Sequence, residues 1–439
     1  MSLQAVEYQE KSPTRWALAG LALSMLTPSL DTSIANVALP SLQQAFGVPF
    51  AAVQWIVLAY LLAITSLIVG AGRLGDLVGR RRLLLGGIGL FTAASLACGL
   101  APGLGWLVAA RALQGLGAAV MLALSMAMAG ETVPKARLGA AMGLLGTMSA
   151  VGTTLGPALG GMMIAGLGWR SIFLVNLPLG LLNLWLAWKA LPADRPVAGR
   201  ARFDTLGAAL LALTLGAYAL AMTGGGWPML GAAGVGAALF VLSQRWSRSP
   251  LLNLAMLGGS GSGLIMSALV STVMMATLVV GPFHLSQTLG LAPALVGLVM
   301  SAGPLVAALT GAPAGRLVDR FGSGWMILVG LGGMAIGLLA LANLPVGLGP
   351  AGYVAAIAVV TASYALFQAA NNASVMRDVA ADWRGVVSGM LSLSRNLGLI
   401  TGASAMGAVF AAAGMGAAFT VAAGLIGLAL LVGFSRARG

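Results

Sequence analysis

The chain has 439 residues, 59% of them hydrophobic and only 8% charged, with a mean hydropathy of +0.98. A water-soluble domain carries about a quarter of its residues as charges, so this chain cannot cover itself for water. Its 23 basic and 10 acidic residues give a net charge of +13, yet no stretch reads as a soluble module that could concentrate that charge for nucleic-acid binding.

Apolar runs recur from end to end, each long enough for the roughly 20 residues that cross a bilayer core as helix. Backbone groups in hydrocarbon must pair internally, which leaves helices or a closed barrel, and the alternation of barrel strands is missing. The expected fold is an all-α membrane protein. Breaks at charges, glycines and prolines predict about fourteen spans. They lie at 16–39, 50–71, 83–101, 106–129, 138–166, 171–190, 204–223, 228–243, 261–285, 293–314, 325–344, 350–371, 386–411 and 415–434. Between 204 and 243, Gly224, Gly225 and Gly226 leave only a short turn, and one long re-entrant hairpin is the alternative there. The first run is too long for a signal-peptide core and follows acidic Glu7 and Glu10, so it is expected to stay as an anchor.

Basic residues should crowd the cytoplasmic loops. With the N-terminus inside, 20 of the 23 do so, among them Arg73, Arg80, Arg81, Arg82, Lys135, Arg195, Arg200, Arg202 and Arg248. Only Arg170 falls in an outer loop, while Arg111 and Arg395 fall within spans. A miscount by one helix would scramble this alternation, so an even number of spans with both termini cytoplasmic is expected.

Catalytic and metal classes fall away. Cys98 and His284 are each alone of their kind, which rules out a cysteine framework or an HExxH site. No GxxxxGK[ST] motif provides for ATP. Neither an enzyme, a metal nor a cofactor is expected, and an energy source must be an ion gradient or the cargo's own gradient.

The sequence repeats itself. "GRLGDLVGRR" from Gly72 and "GRLVDRFGSG" from Gly315 share Gly, Arg, Leu, Asp and Gly at an offset of 243. Gly152, Gly156 and Gly161 echo in Gly398, Gly402 and Gly407 at an offset of 246. Both copies of the first motif lie in loops on one side, so the repeats share an orientation, as in one large group of secondary transporters. The expected organisation is a six-helix half at 1–190, two inserted helices with their linkers at 191–260, and a second six-helix half at 261–439.

Five motifs carry a family resemblance. "GRLGDLVGRRRLL" resembles the loop between helices 2 and 3 of the major facilitator superfamily, and "LVAARALQGLGAA" (Leu107 to Ala119) resembles its helix 4 motif. "GTTLGPALGG" (Gly152 to Gly161) is similar to the helix 5 motif of antiporters. "LDTSIANVALP" and "GWRSIFLVNLPLG" (Gly168 to Gly180) resemble the helix 1 and helix 6 signatures of the fourteen-helix drug:proton antiporter branch, which "QWIVLAYLLA" also fits. The resemblance implies a major facilitator fold of two six-helix bundles plus two inserted helices. It also implies proton-coupled transport in a bacterial inner membrane, by a chain that works as a monomer. One departure is the connection before the last helix, only about Ala411 to Met415, where relatives often carry a longer loop.

Each motif also has a physical reading. Asp76, at a helix end, can accept from backbone N–H groups of a neighbouring helix and pair with Arg80 or Arg81. Gly72, Asp76, Gly79, Arg80 and Arg81, with Asp319 in the second copy, are read as a latch for one of two rocking states; the plainer reading is a solvated loop. Ser323 stands where an arginine is missing in the second copy, which predicts a weaker latch. Gly152, Gly156, Pro157, Gly160 and Gly161 put small residues on one face and free a backbone carbonyl. They are expected to seal the outer half of a pathway, or simply to pack tightly.

Arg111 within a span should face a cavity or a partner, or else snorkel outward. Gln114, at i+3, lies on its face. The resemblance makes Arg111 a member of a proton-coupling network. Arg395 could serve a substrate or pair with backbone carbonyls. Further cavity candidates are Asn36, Trp55, Tyr60, Tyr218, Phe367, Gln368, Asn371 and Asn372, aromatics and amides of the kind that suit bulky amphipathic ligands, although aromatics in membrane helices are more often core or interfacial. His284 reads as an interfacial residue or a relay.

Asp31 is the only acidic residue deep in a span, about 24 Å along the helix from Arg15. Pro28 could bend helix 1 toward a central cavity. The carboxylate either satisfies freed backbone groups or carries a proton, because access from either side changes its solvation and a cationic cargo favours its ionised form. The expected function is export of amphipathic or cationic drugs by alternating access, coupled to proton entry. A dedicated exporter of one metabolite, with the intramembrane arginines favouring an anion, is the alternative, and a scaffold that transports nothing is a third.

Overall fold

The computed structural model describes residues 3–134, 137–194, 204–247, 257–377 and 384–438. Lys135, Arg195, Arg200, Arg202 and Arg248 lie outside them, as does most of both linkers around the inserted helices.

All regular elements among the described residues are helical. In chain order they are α1 (Leu3–Phe46), α2 (Phe50–Val53), α3 (Trp55–Val78), α4 (Arg80–Gly99), α5 (Leu104–Thr132), α6 (Leu138–Leu167), α7 (Ser171–Leu174) and α8 (Asn176–Ala190). Then follow α9 (Thr205–Leu220), α10 (Gly226–Trp246), α11 (Leu257–Phe283), α12 (Pro293–Phe321), α13 (Ser323–Ala342), α14 (Gly349–Met376), α15 (Arg384–Thr401) and α16 (Gly407–Arg438). The predicted span at 171–190 is interrupted at Val175, which separates α7 from α8. Pro178 falls in the first turn of α8, where its missing N–H has no helical partner to lose.

Among the described residues, eleven stretches are long and apolar enough to cross a membrane. Two of them, Thr205–Trp246 with 42 residues and Gly389–Phe434 with 46, are twice what one crossing needs. Each contains a glycine outside helical geometry, Gly224 at φ 125° and Gly414 at φ 78°. Side chains resist those values and glycine accepts them, so the chain turns there. After Gly224, α10 packs back along α9.

The first six-helix group packs α1 on α6, α8 and α5, and α3 on α4 and α5. Its counterpart packs α11 on α15 and α16, and α13 on α14 and α16. Separate apolar cores result: Leu21, Phe91, Met121 and Leu124 gather in the first group, and Val270, Val280, Leu331 and Phe419 in the second. The groups meet where α6 lies along α12, α1 along α11 and α3 along α15, while α9 rests on α3. Outward-facing Leu213, Leu309, Ile336 and Leu431 are exposed, as a surface bathed in lipid requires.

Candidate functional site

Six helices of the first group converge on one buried ion pair. Asp31 (α1) is 1% exposed and Arg111 (α5) 0%, and Arg111 Nη1 donates to Asp31 Oδ2 at 2.5 Å. The same nitrogen donates to Gln114 Oε1 at 2.6 Å. Asp31 Oδ1 accepts from Gln114 Nε2 at 2.9 Å and from Asn176 Nδ2, at the head of α8, at 2.7 Å. Gln114 Nε2 also donates to Ser95 Oγ of α4 at 2.8 Å, and Arg111 Nε to the Ile56 carbonyl of α3 at 3.0 Å. The guanidinium carbon sits 4.1 Å from the Tyr60 ring centre and 5.8 Å from that of Phe173 on α7. Tyr60 donates its hydroxyl to the Pro28 carbonyl at 3.3 Å.

The spacing of Arg111 and Gln114 explains why both reach Asp31: three residues apart, they share a helix face. Desolvating two such charges costs several kcal/mol per ion, which only good geometry and further hydrogen bonds offset. Here both carboxylate oxygens have partners. Chemically, the arrangement holds a carboxylate and a guanidinium in the interior, each as the other's counter-ion.

The glycine face of α6 serves two neighbours. A Cβ on Gly152 would lie 2.6 Å from the Leu26 carbonyl, and one on Gly156 2.6 Å from Ser33 Cβ, both on α1. Gly160 faces Ile34 of the same helix. Pro157 has no N–H for the Thr153 carbonyl four residues back; Ser33 Oγ of α1 donates to it at 2.8 Å instead. Gly161 turns toward the other half, where a Cβ would lie 2.3 Å from the Pro293 carbonyl and 3.0 Å from Gly297 Cα of α12. The echo at 246 residues repeats this logic. On Gly398 of α15 and Gly402 just past its end, a Cβ would lie 2.2 and 2.3 Å from the Ala268 and Thr272 carbonyls of α11, and Gly407 faces Gln54 of the first half.

Contacts between the halves gather at the end remote from the basic loops. Gln54 Nε2 donates to the Ala403 carbonyl at 2.7 Å, and Gln287 Nε2 to Gln43 Oε1 at 3.2 Å. Phe50 packs edge-on against Phe283 and Phe410, with ring centres 4.7 and 5.3 Å apart.

At the basic end, Arg80 pairs with Asp76 at 2.8 Å and with Glu131 of α5 at 2.6 Å. The expected acceptance of backbone N–H groups by Asp76 is corrected: Asp194, just past α8, accepts from Arg81 N at 2.7 Å and Arg82 N at 3.1 Å, capping α4. Gly79, at φ 103°, makes this approach possible, since a Cβ there would lie 2.5 Å from the Asp194 carboxylate. Arg81 does not pair with Asp76; its guanidinium donates to the Trp188 carbonyl. Gly72 has open space beside it. In the second copy Asp319 has no ion pair among the described residues, and Ser323 accepts from Arg377 at 2.6 Å. Asp76, Arg80 and Arg81 therefore tie the first half to itself.

The cavity candidates disperse. Tyr60 and Gln114 belong to the ion-pair cluster. Asn36 is buried, and Asn371 is buried and donates to the Gly263 carbonyl at 3.1 Å. Phe367 is buried against Gly330 of α13, whereas Asn372 is exposed. Trp55 donates to Thr223 and Tyr218 meets Thr401, each at 3.2 Å, so both join the inserted helices to their neighbours. Gln368 and Arg395 are half-buried. His284 is buried and stacks near Tyr353, at 6.3 Å between ring centres.

A cavity of about 210 Å³ instead opens on the second half, bounded by Met274, Met300, Tyr353, Thr361 and Tyr364, with Thr153 of α6 closing it from the first half. None of the sequence-based candidates lines it. The signal that marks it is a stripe on α14, where Tyr353, Ile357, Thr361 and Tyr364 recur at helical spacing.

Comparison with known proteins places this geometry. The family model described as Major Facilitator Superfamily matches residues 21–278 and 263–438. The chain is 36% identical over 408 residues to the multidrug resistance protein Stp of Mycobacterium tuberculosis, covering 88% of this chain and 74% of that one. It is 28% identical over 389 residues to the riboflavin transporter RibZ of Clostridioides difficile, covering 88% and 85%. A solved D-xylose–proton symporter shares the fold with a TM-score of 0.72 at 16% identity, over 95% of this chain and 97% of that one.

Proposed function

The chain belongs to the major facilitator superfamily of transporters, and on that premise we propose that it exports amphipathic compounds in exchange for protons by alternating access. The observation that carries this reading is the Asp31–Arg111 pair with Gln114 and Asn176 closing around it. When Asp31 Oδ2 takes a proton, the carboxylate becomes neutral and Arg111 loses its counter-ion, so α1 and α5 lose their strongest tie. α1 bears on the glycine face of α6, and α6 bears on α12 through Gly161 and Gly297. Loosening α1 therefore acts on the seal between the halves.

Eleven apolar stretches, two of them doubled by the turns at Gly224 and Gly414, make thirteen crossings, and α1, which is not one of the eleven, makes the fourteenth; that count and the basic loops favour both termini on the cytoplasmic side. They divide as a half at 1–190, an inserted pair within 191–260 and a half at 261–439. In that orientation the described contacts close the outer end, as in an inward-open state. Each proton entering gains about 2.3 kcal/mol per 100 mV of membrane potential, which drives export uphill. Similarity to Stp, a multidrug resistance protein, favours a broad range of cargo; similarity to the riboflavin transporter RibZ favours a single metabolite.

The test is proton movement driven by cargo. In energised inverted vesicles bearing the protein, a pH-sensitive dye should report proton release on addition of at least one member of a panel of cationic, neutral and anionic amphiphiles. No response to any compound, with the protein present in the membrane, would overturn the reading.

A further inference from the structure

The second-half cavity and its surroundings are chemically one-sided. Its aromatic stripe on α14 continues by one turn to Gln368, which is half-buried and has no described hydrogen bond. Across from it on α15, Arg395 lies one turn from Leu399, which lines the cavity. Gln368 and Arg395 thus each stand one helical turn from a lining residue, Tyr364 on α14 and Leu399 on α15. Arg395 starts about 16 Å along α15 from its beginning at Arg384, and its described polar contact is a long one to Ser392 Oγ at 3.5 Å. Among the described residues no carboxylate pairs with it.

Among the described residues no other acid serves it. Asp76, Glu131, Asp194, Asp204 and Asp319 sit at or beyond helix ends on the basic side. Of the described acids Asp31 alone lies at cavity depth, and Arg111, Gln114 and Asn176 occupy both its oxygens. A cationic cargo would therefore meet an uncompensated arginine and find no free carboxylate.

We propose that the cargo of this cavity is a compact aromatic compound bearing one anionic group, a carboxylate or sulfonate, with Arg395 as the residue that selects its charge. This rests on the export reading above and names the class of compound exported. An arginine fork holds such a group by two parallel charge-assisted hydrogen bonds. Tyr353, Tyr364 and Met300 offer ring faces and a soft thioether to the aromatic part. At about 210 Å³ the cavity is smaller than the roughly 300–1,000 Å³ of drug-sized sites, which fits one or two rings. Anion export also moves charge in the same sense as proton entry, so the membrane potential drives both.

Equilibrium binding to the purified full chain separates this proposal from coupling, because no gradient is involved. The probes are 2-naphthalenesulfonate, 2-naphthylmethanol and 2-naphthylmethyltrimethylammonium, followed by quenching of tryptophan fluorescence. The sulfonate should bind tightest. Arg395→Gln should weaken it about tenfold or more, Arg395→Lys should restore part of the loss, and the alcohol should bind all three proteins alike, which also reports intact folding. Tightest binding by the ammonium compound, equal sulfonate binding by Arg395→Gln, or no binding by any probe would each overturn the proposal. Dye-reported proton exchange with other compounds would then still leave the export reading standing.

Discussion

The two halves repeat one packing scheme and differ in what they bury at its centre. In the first, Gly152 and Gly156 seat α6 on α1; in the second, Gly398 of α15 and Gly402 just past its end seat that segment on α11. Gly152 meets Ser29 and Gly398 meets Ser271, an offset of 242 (271 − 29). By that offset Asp31 corresponds to Val273, which is fully buried and apolar. The first half thus fills its centre with an ion pair and hydrogen bonds that engage both oxygens of Asp31, while Arg111 Nη2 and Asn176 Oδ1 stay without a hydrogen bond. The second half keeps an apolar centre, a cavity and an arginine that pairs with no carboxylate among the described residues. On the proposed reading, duplicated scaffolding lets one copy specialise in a proton and the other in cargo, with α6 between them.

The most damaging way to test that division is to block the contact between halves. Gly297→Val places atoms where the Pro157 carbonyl stands 2.1 Å from a Cβ, so the outer seal cannot close. Export should fall at least tenfold while the protein still inserts and purifies. Full turnover would mean that α6 and α12 need not close against each other.

Next in size is the ion pair. Arg111→Met removes the counter-ion of Asp31 and leaves it Gln114 and Asn176 as donors; breaking a buried pair in this way costs about 3–5 kcal/mol, so the melting temperature in detergent should drop clearly. Adding Asp31→Asn should recover most of that stability without recovering coupling. A double variant no more stable than Arg111→Met would show that the two residues do not act as a pair. The smallest effect concerns the basic end. Asp76→Asn removes one of the two acids on Arg80 and should slow export several-fold with cargo affinity nearly unchanged. Asp319→Asn, which breaks no described ion pair, should be milder, and the reverse ranking would contradict the assignment. Surface pairs of this kind contribute only about 0–1 kcal/mol to stability, so export rate rather than melting is the sensitive readout.

Much of the first half was legible from residue order. A lone acid 16 residues past Arg15, and an arginine with a glutamine one turn on, are anomalies in an apolar chain, and their expense points to function. Asn176 was hidden because its partner lies 145 residues away and an asparagine near a helix start has ordinary uses. Asp194 was hidden for the same reason, 113 residues from the Arg81 N–H it accepts. Tyr60 reads as a cavity aromatic, yet a ring beneath a guanidinium looks no different in sequence. The second-half cavity was illegible because tyrosine, methionine and threonine are unremarkable in membrane helices; its meaning comes from which face of α14 they share.

The central claim is that Asp31 carries the proton that powers export. Asp31→Asn keeps the side-chain size and one of the two acceptor oxygens while removing the acid. In inverted vesicles under an imposed proton gradient, with the compound that elicits the dye response, this variant should show no uphill accumulation. It should still exchange labelled for unlabelled compound down its own gradient. Undiminished uphill accumulation by a normally expressed Asp31→Asn protein would contradict the account.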